Sequence, residues 1–196
     1  MSKFIAEFIS VILNPLVLLV PLPFFLVYET GGSLASSILW TIITFLFIFL
    51  FFVFILFGIW RGFFSDLDVS RRKQRPLLFL VAILLTLVYI SILFIFHAPV
   101  ILYIAAVSVM AGLGAVDMVN SVIKASVHLA TLSAVSTFLV IVEGWPFLFA
   151  YLLIPVLAWS RIKTKNHTPK ETALGTSLGI LFTLTVYVIF KYIIHV

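Results

Sequence analysis

Residues 45–57 read FLFIFLFFVFILF, a run with no polar side chain. A transmembrane barrel strand, or a strand with one face in water, alternates apolar and polar residues with a period of two. This run has no such period. It sits inside a longer apolar stretch, 34–60, which exceeds the about 20 residues that a helix needs to cross a bilayer. The reading that fits is a helix with lipid around it.

Outward from that stretch, the sequence shows six more apolar segments. With boundaries good to a few residues, the seven are 4–28, 34–60, 77–96, 98–119, 125–142, 145–160 and 172–195. Short turns join several of them: Glu29 to Ser33, His97-Ala98-Pro99 and Glu143-Gly144-Trp145-Pro146. The first segment is interrupted by Pro15, Pro21 and Pro23, and proline kinks or ends a helix. Its start places Phe4, Phe8 and Ile12 on one face, as a helix lying along the interface would. It is a poor signal peptide, with only Lys3 as a positive region and no small-x-small cleavage site.

Composition agrees. Of the 196 residues, 64% are hydrophobic and 10% charged, against about 45–50% and about 25% in soluble domains. Mean hydropathy is +1.32. Seven spans use about 140 residues, so the expectation is an all-α, polytopic transmembrane bundle of six or seven spans, forming a single integral membrane domain over 1–196. Cysteine is absent, which excludes disulfides, thiolate metal sites and cysteine nucleophiles.

The charges are unevenly spread. If each segment crosses once, Lys3, Arg61, Arg71, Arg72, Lys73, Arg75, Lys124, Arg161, Lys163, Lys165 and Lys170 fall on one face. Of the twelve basic residues only Lys191 falls near the other. The positive-inside rule makes the basic face cytoplasmic, in a membrane expected to be the cell membrane. The bias survives if Arg75, Lys124 and Arg161 are set aside as anion ligands.

Three polar clusters return to that face: 65–76 before the third span, 124–128 at the start of the fifth, and 160–171 between the sixth and seventh. Arginine holds phosphate by a bidentate fork and lysine as a point charge. Ser126 and the free N–H groups of a helix start add anion donors. His128 and His167 suit proton transfer or nucleophilic attack near neutrality, and Glu171 can orient one of them. No His and carboxylate cluster stands at metal-ligand spacing.

These residues resemble a family. Ser160-Arg161, five residues, His167, three residues, Glu171 resembles the S-R-x5-H-x3-D signature of the type 2 phosphatidic acid phosphatase superfamily. Ser126-Val127-His128 resembles its P-S-G-H box, and Arg75-Pro76 the end of its K-x6-R-P box. The resemblance covers about 66–180. It implies a membrane phosphatase that needs no metal or other cofactor and forms a phosphohistidine. His167 would be the nucleophile, Glu171 its orienter and His128 the general acid; Arg75, Arg161 and Ser126 would bind phosphate. The partners implied are the bilayer and a lipid phosphate or diphosphate, with no nucleic acid. The sequence departs from the pattern at Asp68, where the family has lysine, and at Ala125, Val127 and Glu171. Lys124 is the proposed source of the missing charge, with Arg72 the other candidate. The family is usually described with six spans.

Each residue also has a structural reading. Thr168-Pro169-Lys170-Glu171 fits a capping box, and Glu171 could cap and orient together only if its two oxygens divide the work. Arg71 and Lys73 read best as topology signals or lipid contacts. Gly175 and Gly179, and likewise Gly112 and Gly114, read as helix-packing positions. Asp117 and Asn120 are weak candidates as partners of Lys124 or a histidine. Two other functions compete. Asp66, Asp68 and Arg75-Pro76-Leu77 faintly echo prenyltransferases of the UbiA kind, which magnesium dependence would reveal. The departures at Asp68 and Val127 suit a transporter or a phosphatase-like protein without activity.

Overall fold

The structure, a computed structural model, describes residues 2–120 and 122–193. Among the described residues all regular structure is helical. The α-helices are α1 (Ser2–Ile12), α2 (Pro15–Leu19), α3 (Leu22–Glu29), α4 (Leu34–Trp60), α5 (Arg75–Ile95), α6 (Val100–Asn120), α7 (Val127–Glu143), α8 (Leu153–Lys163) and α9 (Pro169–Ile193). Short 3-10 segments, Arg72–Gln74 and Trp145–Leu152, lead into α5 and α8. Residues 194 and 195, the end of the last expected span, lie outside the described residues.

The prolines divide the first apolar segment as expected. Pro15 opens α2, where its missing N–H costs nothing, and the Asn14 side chain accepts from the amide of Leu16 at 2.9 Å. Pro21 and Pro23 then break the chain into α3, and the stretch Lys3–Leu19 meets Leu22–Glu29 at 51°. At the start of α4, Ser33 accepts from the amide of Ser36 at 3.1 Å.

Five helical stretches are long and apolar enough to cross a bilayer: Leu34–Trp60, Arg72–Ile95, Val100–Asn120, Trp145–Lys163 and Pro169–Tyr192. The bent pair makes a sixth if counted as one span. This is a multi-pass membrane helical bundle of five or six such stretches, where six or seven spans were expected. The remaining one of the seven expected segments is α7, a shorter apolar helix. Its 17 residues reach about 26 Å at about 1.5 Å per residue, against a hydrocarbon core of about 30 Å. The outer side of α4 presents Ile42, Phe45, Leu46, Phe49, Leu50 and Val53, all exposed, a surface suited to lipid and not to water.

α7 packs most extensively against α9. A Cβ at Gly175 would stand 2.4 Å from the carbonyl oxygen of Ser126, and one at Gly179 would stand 2.2 Å from that of Ala130. These two glycines let the helix backbones touch, and Ser133 fastens the contact by donating to the Thr176 carbonyl at 3.0 Å. Gly112 and Gly114 do not play the packing role expected of them. A Cβ at either meets nothing within 4 Å, and Gly112 faces a cavity of about 250 Å³ within the bundle.

Cross-links bring the three polar clusters to one end. Arg75 on α5 reaches Asn120 at the end of α6. Lys124 reaches Asn166 in the α8–α9 loop. The amide of Ser126, before α7, donates to the Glu171 carbonyl on α9 at 3.2 Å. Away from these contacts, Glu29 and Glu143, both assigned to far-side turns, lie close enough to repel each other.

Candidate functional site

The loop after α8 determines where His167 sits. The helix closes with Lys165 in the left-handed region (φ +60°). The amide of Lys165 donates to Ile162 O at 3.0 Å and that of Asn166 to Arg161 O at 3.1 Å. This is the Schellman arrangement. The amide of His167 also donates to Arg161 O, at 3.2 Å, so the backbone itself ties the histidine to the arginine six residues earlier.

The His167 ring is buried, and its Nδ1 lies 2.9 Å from Glu171 Oε2. That same oxygen accepts from the Thr168 amide at 3.1 Å, while Thr168 Oγ1 accepts from the Glu171 amide at 3.3 Å. Capping and orienting are therefore not divided between two oxygens, as expected. Oε2 does both, because a carboxylate oxygen has two lone pairs and the helix start places both donors beside it. Burial, then the cations Lys124, Arg161 and Arg75 and the neighbouring His128, push His167 down from 6.5 to about 2. The ring is neutral, with Nδ1–H donating to the carboxylate and the Nε2 lone pair left free.

Basic residues from all three clusters lie near enough to act on this ring. Arg75 is 3% exposed. Its Nε donates to Val69 O at 3.2 Å, and its Nη1 donates to Asn120 Oδ1 at 3.3 Å and Ala125 O at 3.0 Å. Lys124 Nζ donates to Asn166 O at 2.9 Å. Burial and Arg75 lower its pKa, against the pull of Glu171. Arg161 is buried, and its Nη1 donates to Ser10 Oγ at 2.6 Å and Asp68 Oδ2 at 2.8 Å. Arg161 Nε and Ser126 Oγ are buried and have no hydrogen-bond partner among the described residues. Arg72 is exposed and donates through Nε to the Asn120 carbonyl, at the rim of this cluster. The amide of Ser126, the cap residue before the first turn of α7, is taken by the Glu171 carbonyl. Asn120 serves Arg75 and Arg72, and neither Lys124 nor a histidine.

Sequence reasoning missed three contributors. Ser10 and Asn14 come from the segment read as interfacial. Asn14 Nδ2 lies 3.4 Å from His128 Nε2, and Ser160 Oγ donates to Ala6 O at 2.6 Å, fixing α1 against α8. A signal was available: Lys3, Glu7, Ser10 and Asn14 are spaced four, three and four apart, a polar stripe on a helix otherwise apolar. The third is Asp68, read only as a departure from a motif. It is a direct partner of Arg161, and its Oδ1 lies 3.7 Å from His128 Nε2.

Asp68 is held inward by Asp66. The Asp66 carboxylate accepts from the amides of Asp68 and Ser70 and from the hydroxyls of Ser65 and Ser70. Burial would raise the Asp66 pKa, but these bonds outweigh it and hold the group below its usual value. Asp66 is thus committed to shaping the loop. Val69 follows at φ +44°, a costly angle for a β-branched residue, and is fully buried.

A cavity of about 840 Å³ opens beside α1, α2 and α4. Val17, Val20, Phe45, Phe49 and Phe52 make its apolar wall, and Ser10, Asn14, Asp68 and Arg161 its polar end. Comparison with family models, with curated proteins and with solved structures finds no match.

Proposed function

We propose that the protein is a membrane phosphatase that hydrolyses a lipid phosphate or diphosphate through a phosphohistidine, as the resemblance to the type 2 phosphatidic acid phosphatases implies. One observation carries the reading. Arg75, Lys124 and Arg161, from three separate polar clusters, are linked by hydrogen bonds through the Ala125, Asn166 and Arg161 carbonyls to the segments around one buried histidine whose Nδ1 meets a carboxylate. Isolated topology signals have no reason to converge on a neutral imidazole.

In this mechanism Arg161, Arg75, Lys124 and Ser126 hold the phosphoryl oxygens, with Arg72 an outer guanidinium at the rim. His167 Nε2 attacks phosphorus. The N–P bond forms as the P–O bond to the leaving group breaks; His128 takes up a proton together with the phosphoryl dianion and, as the imidazolium, gives it to the departing oxygen. Glu171 steadies the charge that develops on His167. Water then attacks the phosphohistidine, His128 takes back a proton, and phosphate leaves. The cations act where charge builds up on the phosphoryl oxygens, in a site of low dielectric.

The amphipathic cavity suits the substrate class. Its aromatic wall can take a hydrocarbon chain while its polar end takes the head group. Phosphatidic acid, phosphatidylglycerol phosphate and polyprenyl phosphate or diphosphate all have that form. By charge bias the site faces the cytoplasm.

The test is phosphate release by purified protein, in detergent with EDTA, from a panel of these lipids. Release that persists in EDTA and disappears in His167→Ala supports the reading, as does acid-labile phosphate trapped on the wild-type chain. Release abolished by EDTA, or unchanged in His167→Ala, overturns it.

A further inference from the structure

Asp68 is the feature that this mechanism leaves without a role. Its carboxylate bridges Arg161, at 2.8 Å, and His128, at 3.7 Å. Those are the group proposed to hold the phosphoryl oxygens and the group proposed to protonate the leaving one. Asp68 and Arg161 line the large cavity, whereas the His167 side chain is only 1% exposed and is not on that lining. A ligand in the cavity therefore has the Asp68–Arg161 pair on its wall, while His167 lies off that wall. Arg161 keeps an unused donor of its own, Nε, and Ser126 Oγ beside α9 is likewise buried and without a partner among the described residues. The chain also holds Asp68 in place against local preference, through the Asp66 hydrogen bonds and a valine at positive φ.

We propose that the Asp68 carboxylate is an internal anion seated where the phosphoryl group of a ligand binds, and that it makes Asp68 the specificity-determining residue of the site by setting a charge threshold. This rests on the anion-site reading above. A ligand must release Arg161 from an ion pair already formed. A monoanion offers Arg161 no more than the carboxylate does. A dianionic phosphate monoester, or a diphosphate, offers a second charge to Lys124 and Arg75, which have no carboxylate within salt-bridge distance among the described residues. The site thus accepts terminal phosphates and refuses phosphodiesters, which are the bulk of a phospholipid bilayer. The need for such a threshold is physical, because a cationic pocket open to the membrane would otherwise fill with ordinary head groups.

The test compares wild type with Asp68→Asn and Asp68→Ser in detergent at pH 8, where inorganic phosphate is dianionic. Inorganic phosphate and dimethyl phosphate are the probes, and binding is read by calorimetry and by the shift in thermal unfolding. The expected result is that wild type binds inorganic phosphate and not dimethyl phosphate. Both variants bind inorganic phosphate at least tenfold tighter and gain binding of dimethyl phosphate. Unchanged or weaker phosphate binding in both folded variants overturns the proposal. Should one variant fail to give a cooperative unfolding transition, the other decides. Tighter phosphate in the variants with no His167-dependent hydrolysis of any lipid upholds the charge threshold and defeats the phosphatase. Hydrolysis that depends on His167 with unaltered anion binding in the variants does the reverse.

Discussion

Glu171 Oε2 lies 2.9 Å from His167 Nδ1, four residues earlier, and the same oxygen closes the start of α9. The orientation of the imidazole and the beginning of a helix are thus a single event. Rotating the carboxylate away to reorient the histidine would also uncap the helix.

That coupling can be separated by mutation. Thr168→Ala removes only the cap hydroxyl, and we expect a loss of about 1 kcal/mol in stability with kcat unchanged. Glu171→Gln keeps an oxygen for the Thr168 amide but loses the charge that steadies the imidazolium. Turnover should fall by about 100-fold or more, with a smaller change in unfolding temperature. Equal losses of kcat in the two variants would show that Glu171 is only a cap.

Acid should destabilise the fold through His167. Its pKa falls from 6.5 in the unfolded chain to about 2 in the folded one. Between those values the unfolded chain binds a proton that the folded chain refuses, so stability rises with pH across the window. The contribution is complete above about 6.5 and is lost progressively as pH drops toward 2. In thermal unfolding from pH 7 to pH 5, His167→Gln should lose less than wild type. Parallel curves would contradict a buried, neutral imidazole.

Lys124 reaches across to the Asn166 carbonyl at 2.9 Å, next to His167. If it supplies the charge missing at Asp68, Lys124→Ala should weaken inorganic phosphate binding about tenfold, equivalent to about 1.4 kcal/mol. Lys124→Arg should recover most of it. Full activity in the alanine variant removes Lys124 from the mechanism.

The α7–α9 seam offers a control without charges. A Cβ at Gly179 would fall 2.2 Å from the Ala130 carbonyl oxygen, and backbone cannot step aside cheaply. Gly179→Ala should cost about 1–3 kcal/mol and reduce activity, because α9 carries Glu171. Gly112→Ala, which meets only open space, should do neither. Comparable unfolding temperatures for the two variants would refute the close approach.

Much of the fold was legible because lipid imposes a simple rule, and runs such as Phe45–Phe57 obey it without local competition. The count was less legible. The 17 residues of α7 have the apolar character of a span, and only length separates them from one. Lys124, His128, Arg161, His167 and Arg75 could be foreseen as neighbours from the return of every second turn to one face. Ser10 and Asn14 showed only as part of a polar stripe, because nothing local in the sequence says that residue 10 meets residue 161. Asp68 was visible only as a wrong charge, and its meaning depended on seeing which guanidinium it touches. The glycines at 112 and 175 look alike in sequence, and only the neighbouring helix distinguishes them.

The contact between Ala6 and Ser160 spans 154 residues. α1 is made early and must wait in the bilayer until α8 has been synthesised and inserted. Its polar stripe has no partner in the interval. The polar end of the bundle therefore closes only once α8 is in place, and a chain stalled before α8 carries half of that cluster.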